Sequence, residues 1–330
     1  SRGLGDVYKR QAIMRAIAEW EAQEAIFLSL PHYNTDWNEY LLDIMKSYVE
    51  LVKALSKFQK VCLISPSKED FEYFFKDIPN LSFYEIDTND TWIRDYGAID
   101  VESAGRIISY NFEFNAWGGK FQSSKDNSVN LELYKYFKGE LKNMDLILEG
   151  GSIDFNGYGT MLTTTACLLN DNRNNFSKTE LEDKFRSLFG IHRIIWLENG
   201  FIKGDDTDSH VDTLARFITR DTIAYSICED KNDEQYESLK LMEDELKKTG
   251  FKLLPLPLPK PIFYDDVRLP TTYANFIFVN DALIVPTYED KNDEIVLNSL
   301  KKALPNLEVI GVDARAVSYT HLRAHETRRH

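Results

Sequence analysis

The sequence predicts an α/β protein in which one hairpin–helix–strand unit recurs along the chain in a radially repeated architecture. Three observations support this prediction: short polar turns split β-rich runs into hairpins, helix-periodic segments follow them, and successive units begin at similar intervals. The chain has 330 residues, of which 43% are hydrophobic, so it can bury one large core or two ordinary ones.

The hairpins and helices can be placed one by one. Each predicted hairpin has a short polar turn between runs that are rich in β-branched and aromatic residues. These turns lie at residues 103–105, 156–157, 220–221 and 280–281. Helices are expected where apolar residues recur at intervals of three and four, over residues 38–57, 178–189, 233–249 and 292–303. A strand is expected after these helices, as over residues 61–64, 193–197 and 307–310.

The spacing of the units suggests a ring. The hairpins open near residues 97, 152, 211 and 274, so the units begin about 55 to 63 residues apart. Residues 24–30 (EAIFLSL) look like one half of a further hairpin. Pairing the first strand with the last would close the ring and remove exposed edges, and we expect the chain to lack that last strand. A single two-layer α/β sheet is the alternative, because a period alone does not establish closure.

Composition restricts the class of protein. The net charge of -14 and pI near 5.0 argue against a nucleic-acid partner and suit a small cationic ligand. The sequence has no apolar run of the roughly 18 residues that a membrane helix needs, and no signal-peptide pattern. The three cysteines, Cys62, Cys167 and Cys228, are far apart, which argues against a disulfide framework and indicates a reducing, cytoplasmic compartment.

The two ends differ from the rest of the chain. Residues 1–11 (SRGLGDVYKRQ) and 318–330 (SYTHLRAHETRRH) resemble translated adapter or vector sequence, and neither has an apolar periodicity. We therefore expect one domain over residues 12–317, with a foreign extension on either side that contributes little to the core.

Four short segments place polar residues inside or at the ends of apolar strands. They are NDTWIRD at 89–95, NAWGG at 115–119, EGGS at 149–152 and GDDTDSHVD at 204–212. A buried carboxylate costs several kcal/mol unless it is paired, so acidic residues at strand openings need a cationic partner. A guanidinium would fit, because its planar fork of N–H donors matches carboxylates bidentately.

Individual residues in these segments suit the hydrolysis of a guanidinium. His210 can protonate a departing nitrogen, and Asp212 would face the same way if the segment were a strand. Glu149 precedes two glycines, where backbone can approach a ligand closely, and could orient His210. Trp92 and Trp117 could stack on the cation or line its aliphatic tail.

Other interpretations of these residues remain open. Arg94 and Asp95 could form a structural ion pair, and His210 alone could be a buried, satisfied core histidine. The acidic residues of 205–212 could hold a hard cation such as magnesium, although no second histidine or cysteine cluster completes a transition-metal ligand set.

Together and in this order the segments resemble agmatine deiminases, members of the guanidino-modifying αβ-propeller (pentein) superfamily that also contains the bacterial-type peptidylarginine deiminases. The motifs are NDTWIRDYGAI, NAWGGK, LEGGSID and KGDDTDSHVDTLARF, and the likeness extends from about Trp20 to residues 311–313 (GVD). The resemblance implies a five-bladed αβ propeller with its active site at the central channel, no cofactor, and a homodimer.

The resemblance also implies site residues. Asp95 and Asp212 would hold the guanidinium nitrogens, and Glu149 and His210 would orient the substrate and shuttle protons, while Asp90 could reach a polar group of the substrate. The family's nucleophile is a cysteine in a glycine-containing segment after the GVD strand. Here Asp313 is followed by ARAV and the foreign-looking tail, so we expect the intact parent protein to be active and this chain to be inactive.

The implied reaction converts agmatine to N-carbamoylputrescine and ammonia through a cysteine-linked amidino intermediate. An arginine deiminase should supply an extra arginine for the substrate carboxylate, and the motifs offer only Arg94, which we assign to the support of Asp95. Two alternatives remain: a peptidylarginine deiminase-like enzyme, and a guanidinium-binding module without catalysis.

Overall fold

The computed structural model describes residues 14–264 and 266–318, and the strand at 327–329, with only the backbone described at 317–318 and 327–329. The expected extension over residues 1–11 and most of the tail lie outside the described residues. Among the residues that are described, no helix is long and apolar enough to cross a membrane.

The structure alternates strands and helices along most of the chain. The strands are β1 (Met14–Ala16), β2 (Ala25–Ser29), β3 (Lys60–Ser65), β4 (Leu81–Glu85), β5 (Ile99–Ser103), β6 (Arg106–Glu113), β7 (Glu140–Ile147), β8 (Ile153–Phe155), β9 (Thr160–Thr164), β10 (Arg193–Leu197), β11 (Ala215–Thr219), β12 (Thr222–Ile227), β13 (Lys252–Pro257), β14 (Phe263–Tyr264), β15 (Val267–Arg268), β16 (Ile277–Val279), β17 (Ala282–Thr287), β18 (Glu308–Asp313) and β19 (Thr327–Arg329). The α-helices are α1 (Leu41–Leu55), α2 (Lys68–Phe71), α3 (Ile93–Tyr96), α4 (Ala116–Gly119), α5 (Val129–Leu133), α6 (Thr165–Leu168), α7 (Lys178–Phe189), α8 (Tyr236–Lys247), α9 (Lys291–Ala303) and α10 (Arg315–Ser318).

One connectivity recurs in four of the sheets. An antiparallel hairpin is followed by a helix and then by a strand that pairs in parallel with the second hairpin strand. The sheets that follow this rule contain β5–β6–β7, β8–β9–β10, β11–β12–β13 and β16–β17–β18. The predicted hairpin–helix–strand unit is thus confirmed. A single two-layer sheet is wrong, because the described strands separate into five sheets of three or four strands and one two-stranded hairpin.

The pairing of β2, the strand formed by the expected half-hairpin at residues 24–30, differs from expectation. β2 pairs in parallel with β3 and, on its other side, antiparallel with β19, in the register Phe27 to Thr327. The expectation that this edge lacks a partner is therefore wrong in this structure, because residues 327–329 of the tail pair with it.

Local sequence explains where the elements begin and end. Ser177 caps α7 by accepting from the Glu180 N–H while the Glu180 side chain bonds back to the Ser177 N–H, and Gly190 ends the helix at φ 61°. The predicted turn at 103–105 places Ala104 at φ 51° and Gly105 at φ 75°, the left-handed pair that a tight hairpin needs. These signals lie within a few residues, which is why the helix over 178–189 and the hairpin turns could be placed from sequence.

Candidate active site

Three short helical turns contain or directly follow the acidic and histidine side chains that the sequence singled out. They are α3, the 3-10 turn Gly150–Ser152 and the 3-10 turn Val211–Thr213, and each lies just before the first strand of a hairpin, β5, β8 or β11. The turn at Gly150–Ser152 packs against both of the others. Equivalent positions of three successive units therefore meet at one place.

The structure brings four of the predicted site residues together around Gly151. A Cβ atom at this glycine would lie 2.6 Å from His210 Nδ1 and 2.7 Å from both Asp212 Oδ2 and Asp95 Oδ1. Glu149 is two residues away in the chain, and its Oε1 lies 4.0 Å from His210 Nε2. All four side chains are buried. The result is a compact, acidic site whose floor is a glycine backbone.

The condition under which His210 and Asp212 would face the same way, a strand at this segment, is not met. The segment after His210 is not a strand but a 3-10 turn, and β11 begins only at Ala215. Side chains two residues apart need not share a face there, yet both reach the Gly151 floor. The turn is held by the Thr213 hydroxyl and N–H, which both donate to the His210 carbonyl at 2.9 and 3.2 Å.

Asp95 is fixed by two hydrogen bonds from different parts of the chain. The Gly151 N–H donates to Oδ1 at 2.9 Å, and the Trp117 indole N–H donates to Oδ2 at 3.0 Å. His210 Nδ1 lies 3.5 Å from the same Oδ1. A carboxylate with both oxygens engaged cannot rotate freely, so its plane is set before any ligand binds.

Trp117, whose indole N–H donates to Asp95, lies in a strained turn. Ala116 and Trp117 have φ values of 51° and 56°, which side chains other than glycine seldom adopt. Gly118 cannot carry a side chain, because a Cβ there would lie 2.3 Å from the Asn172 amide nitrogen. Trp92 packs between Trp37 and Trp117, with ring centroids 6.1 and 6.2 Å away, so its described contacts belong to the core.

Glu149 has a partner that sequence reasoning missed. Arg173 Nε donates to Glu149 Oε1 at 2.6 Å, and the Arg173 side chain is fully buried. The same guanidinium donates to Asp208 Oδ2 at 2.9 Å and to the Thr207 carbonyl at 3.3 Å. Arg173 therefore ties Glu149 to the loop that leads into His210. Arg173 lies outside the four motifs, and nothing local in the sequence indicated its partners.

A second buried ion-pair network supports Asp212. Arg94, which the sequence assigned to the support of Asp95, has its Nε 3.9 Å from Asp212 Oδ2 and pairs with Glu19 at 3.3 Å. Glu19 also bonds the fully buried Arg216, whose Nε donates to Asp154 Oδ1 at 3.1 Å. Burial lowers the pKa of Arg216, but the attraction of Glu19 and Asp154 outweighs it and raises that pKa. Glu19, Asp154 and Arg216 were not predicted, because no local motif marks them.

The acidic cluster that could have bound a hard cation is used within the protein. Asp205 accepts from the Thr207 hydroxyl and the Ser209 N–H, which shapes the loop before His210. Asp208 pairs with Lys120 at 2.9 Å and with Arg173. The structure gives the magnesium alternative no support from Asp205 and Asp208.

Asp90 belongs to a separate buried network. Its carboxylate accepts from the Trp37 indole N–H at 3.1 Å and from the Thr91 N–H at 2.7 Å. Its backbone N–H donates at 3.3 Å to Asp126, which also accepts from the Asn89 N–H at 2.7 Å. Burial raises the pKa of Asp90, and burial likewise raises the pKa of Asp126 to about 8, against the two N–H donors.

We expect Asp126→Asn to reduce the pH dependence of stability. Because the folded-state pKa is raised, the contribution of Asp126 is fully present below the ordinary value of 3.8 and is lost as the pH rises through about 8. The amide stays neutral and keeps its acceptor oxygen, so the advantage of the variant in free energy of unfolding should grow between pH 6 and 8. Urea titrations test this, with exposed Asp43→Asn as the control. Parallel curves for Asp126→Asn and the unchanged protein would contradict the assignment.

We expect Gly151→Ala to disable the site while the chain still folds. A methyl group there would push three polar groups apart, and a displacement of about 1 Å can cost roughly 100-fold in function. Calorimetry with a guanidinium ligand measures the loss. Gly105→Asn is the control, because nothing lies within 4 Å of a Cβ there and asparagine tolerates the left-handed conformation. Equal affinity in both variants would show that Gly151 does not lie under the ligand.

Comparison with known proteins gives a consistent result. A sequence profile of the Porphyromonas-type peptidyl-arginine deiminases matches residues 15–325. Agmatine deiminase of Medicago truncatula is 30% identical, over 90% of this chain and 90% of its own. A cysteine-to-serine variant of C. jejuni agmatine deiminase with substrate bound is 57% identical, with a TM-score of 0.95 over 98% of each chain. Agmatine deiminase of Enterococcus faecalis, described as catalysing its reaction, is 28% identical, with a TM-score of 0.89 over 96% of each chain. The α/β fold of this chain is the fold of these structures.

Proposed function

Because this chain belongs to the Porphyromonas-type peptidyl-arginine deiminase family, we propose that it is an agmatine deiminase, which hydrolyses agmatine to N-carbamoylputrescine and ammonia. The observation that carries the proposal is the group of buried acids around His210 and Gly151. Such a group is unfavourable without a cation, and a guanidinium supplies both the charge and the donors.

Asp95 and Asp212 would bind the guanidinium from two sides. Each presents an oxygen toward the Gly151 floor, and Asp95 is already fixed by its two hydrogen bonds. A planar cation held by carboxylates in fixed orientations exposes its central carbon to attack from above or below the plane. Trp117 would contribute by orienting Asp95.

His210 and Glu149 would handle protons. His210 Nε2 lies 4.0 Å from Glu149 Oε1, and Arg173 holds that oxygen in place. In the first step a thiolate adds to the guanidinium carbon, the bond to a terminal nitrogen breaks, and His210 supplies the proton with which ammonia leaves. In the second step water adds to the amidino carbon, gives a proton to His210, and the carbon–sulfur bond breaks to release the urea product.

The residues described at the site include no obvious source of the thiolate. Cys62 lies within β3, and Cys228 is part-exposed, with a thiol whose pKa is raised by burial. Cys167 lies near the site, with its sulfur within 4.8 Å of ligand atoms of Glu149 and His210, but it is fully buried. The sequence contains no cysteine after Cys228. We propose that turnover needs a cysteine beyond these three.

The experiment measures ammonia release from agmatine. We expect none from the chain as it stands and turnover from a version that carries a family-type cysteine-bearing strand after Asp313. Changing that cysteine to serine should abolish turnover, and His210→Ala in the extended version should reduce it by about 100-fold or more. Turnover by the unextended chain that disappears in Cys167→Ala would overturn the assignment of the nucleophile. Failure of the extended version would contradict the proposed reaction.

Agmatine fits the site better than a substrate with a carboxylate. Arg94 already bonds Glu19, and Arg173 already bonds Glu149 and Asp208. Neither guanidinium group is therefore available to bind a substrate carboxylate, a group that agmatine lacks. The family name favours peptidyl-arginine as a second candidate, and kinetics on agmatine and on an arginine-containing peptide separate the two.

The same family supports proposals about the whole protein. We propose that residues 12–317 form one domain and that its five sheets of three or four strands are the blades of an αβ propeller around the Gly151 site. The three cysteines lie far apart in the sequence, which suits a reducing, cytoplasmic compartment. A homodimer is the assembly that we propose from the family resemblance.

A further inference from the structure

We propose that the chain binds a divalent transition ion of the zinc class between Cys167, Glu149 and His210. One ligand atom from each of these side chains lies within 4.8 Å of the others, and all three residues are buried. Thiolate, imidazole and carboxylate are the ligands that zinc takes in proteins, and three of them leave one position for water. Sequence spacing did not indicate this group, because the residues come from three different units of the fold.

The surroundings of His210 support the proposal. Metal-bound histidines usually turn their second ring nitrogen toward a carboxylate, which fixes the ring and strengthens the ligand. Here Nδ1 lies 3.5 Å from Asp95 Oδ1, and Nε2 is the nitrogen that faces Glu149. The geometry therefore assigns Nε2 as the metal ligand and Asp95 as the group that orients it.

Glu149 has one oxygen to offer. Its Oε1 accepts from Arg173 at 2.6 Å, whereas its buried Oε2 accepts no hydrogen bond from the described residues. A buried carboxylate oxygen without a donor is costly, and a bound cation would compensate it. Two ligands of a tetrahedral zinc ion are about 3.5 Å apart, so ligand atoms that now lie within 4.8 Å of one another would approach by about 1.3 Å at most.

The chemistry has two consequences. Cys167 must lose its thiol proton to solvent as the sulfur–metal bond forms, so the affinity should fall as the pH is lowered. The ion would also share Glu149 and His210 with the proposed guanidinium site, so zinc should weaken agmatine binding. Metal binding itself does not depend on that proposed function.

Cobalt(II) titration of the whole chain tests the site, because a cobalt–thiolate bond gives a charge-transfer absorption in the near ultraviolet that histidine or carboxylate ligands do not. We expect one such band that zinc abolishes, present in Cys228→Ala and absent in Cys167→Ser and Cys167→Ala. The histidines at 321, 325 and 330 are common to all variants and give no sulfur band.

Asp95→Asn provides a second test that leaves the thiol intact. The band should remain, but the affinity for cobalt should fall about 10-fold or more, as for other groups that orient a metal-bound histidine. Circular dichroism shows whether each variant folds. No band in the folded chain, a band retained in folded Cys167→Ser, or an unchanged affinity in folded Asp95→Asn would each overturn the proposal.

Discussion

Asp212→Asn is expected to weaken agmatine binding by about 30-fold or more. Truncating one side of a buried, hydrogen-bonded charge pair costs roughly 2 kcal/mol or more, and each 1.4 kcal/mol is a factor of ten. Asp212 is fully buried and has one oxygen at the Gly151 floor. The amide has the same shape but no charge, and it turns N–H donors toward a ligand that also has only donors.

Calorimetry with agmatine measures this effect, and Asp183→Asn is the matched control because Asp183 lies on the surface, 72% exposed, beside Arg186. Urea unfolding should show that Asp212→Asn remains folded. If both variants bind agmatine as the unchanged chain does, Asp212 does not hold the guanidinium.

Arg216→Met is expected to lower the free energy of unfolding by about 3–5 kcal/mol, as is typical when one partner of a buried ion pair is removed. Arg216 is fully buried and bonds Glu19 and Asp154, as well as the Phe276 carbonyl at 3.1 Å. Methionine fills a similar volume but leaves buried carboxylates without their cation. Burial raises the pKa of Asp154 to about 6 against the attraction of Arg216, so losing Arg216 removes an interaction that favours the ionised carboxylate.

The matched control is Arg186→Met. Arg186 also contacts two acids, Glu182 at 2.7 Å and Asp183 at 3.1 Å, but it is 42% exposed, so its loss should cost about 0–1 kcal/mol. Adding Asp154→Asn to Arg216→Met should restore part of the stability by removing an unpaired charge. Equal midpoints for Arg216→Met and Arg186→Met in urea would contradict the role of the buried network.

Most of the fold could be predicted because its signals are local. The helix over 178–189 and the strand over 193–197 match the prediction residue for residue, because the helical spacing of apolar residues and the β-rich composition are signals within each segment, and Ser177 and Gly190 cap the helix on either side. The pairing of β19 with β2 could not be predicted, because it joins residues about 300 positions apart that have no complementary local pattern.

The residues of the candidate site could be predicted only in part, again because only some of them are marked by local sequence signals. Asp95, Glu149, His210 and Asp212 stand in recognisable motifs, whereas the roles of Arg173 and Arg216 depend on partners far away in sequence, such as Glu149, 24 residues from Arg173, and Asp154, 62 residues from Arg216. The shared face proposed for His210 and Asp212 required a strand that does not form there, because a 3-10 turn held by Thr213 precedes β11. Cys167 stands in none of the four motifs, and only the fold places it beside Glu149 and His210.

A crystal structure of the chain with agmatine is the most direct test of the proposal that Asp95 and Asp212 bind the guanidinium. We expect the guanidinium to lie at Gly151, with its nitrogens within hydrogen-bonding distance of Asp95 and Asp212 and its carbon open to attack on the side of His210. Agmatine bound elsewhere, with these two carboxylates not in contact with it, would contradict the proposed guanidinium site.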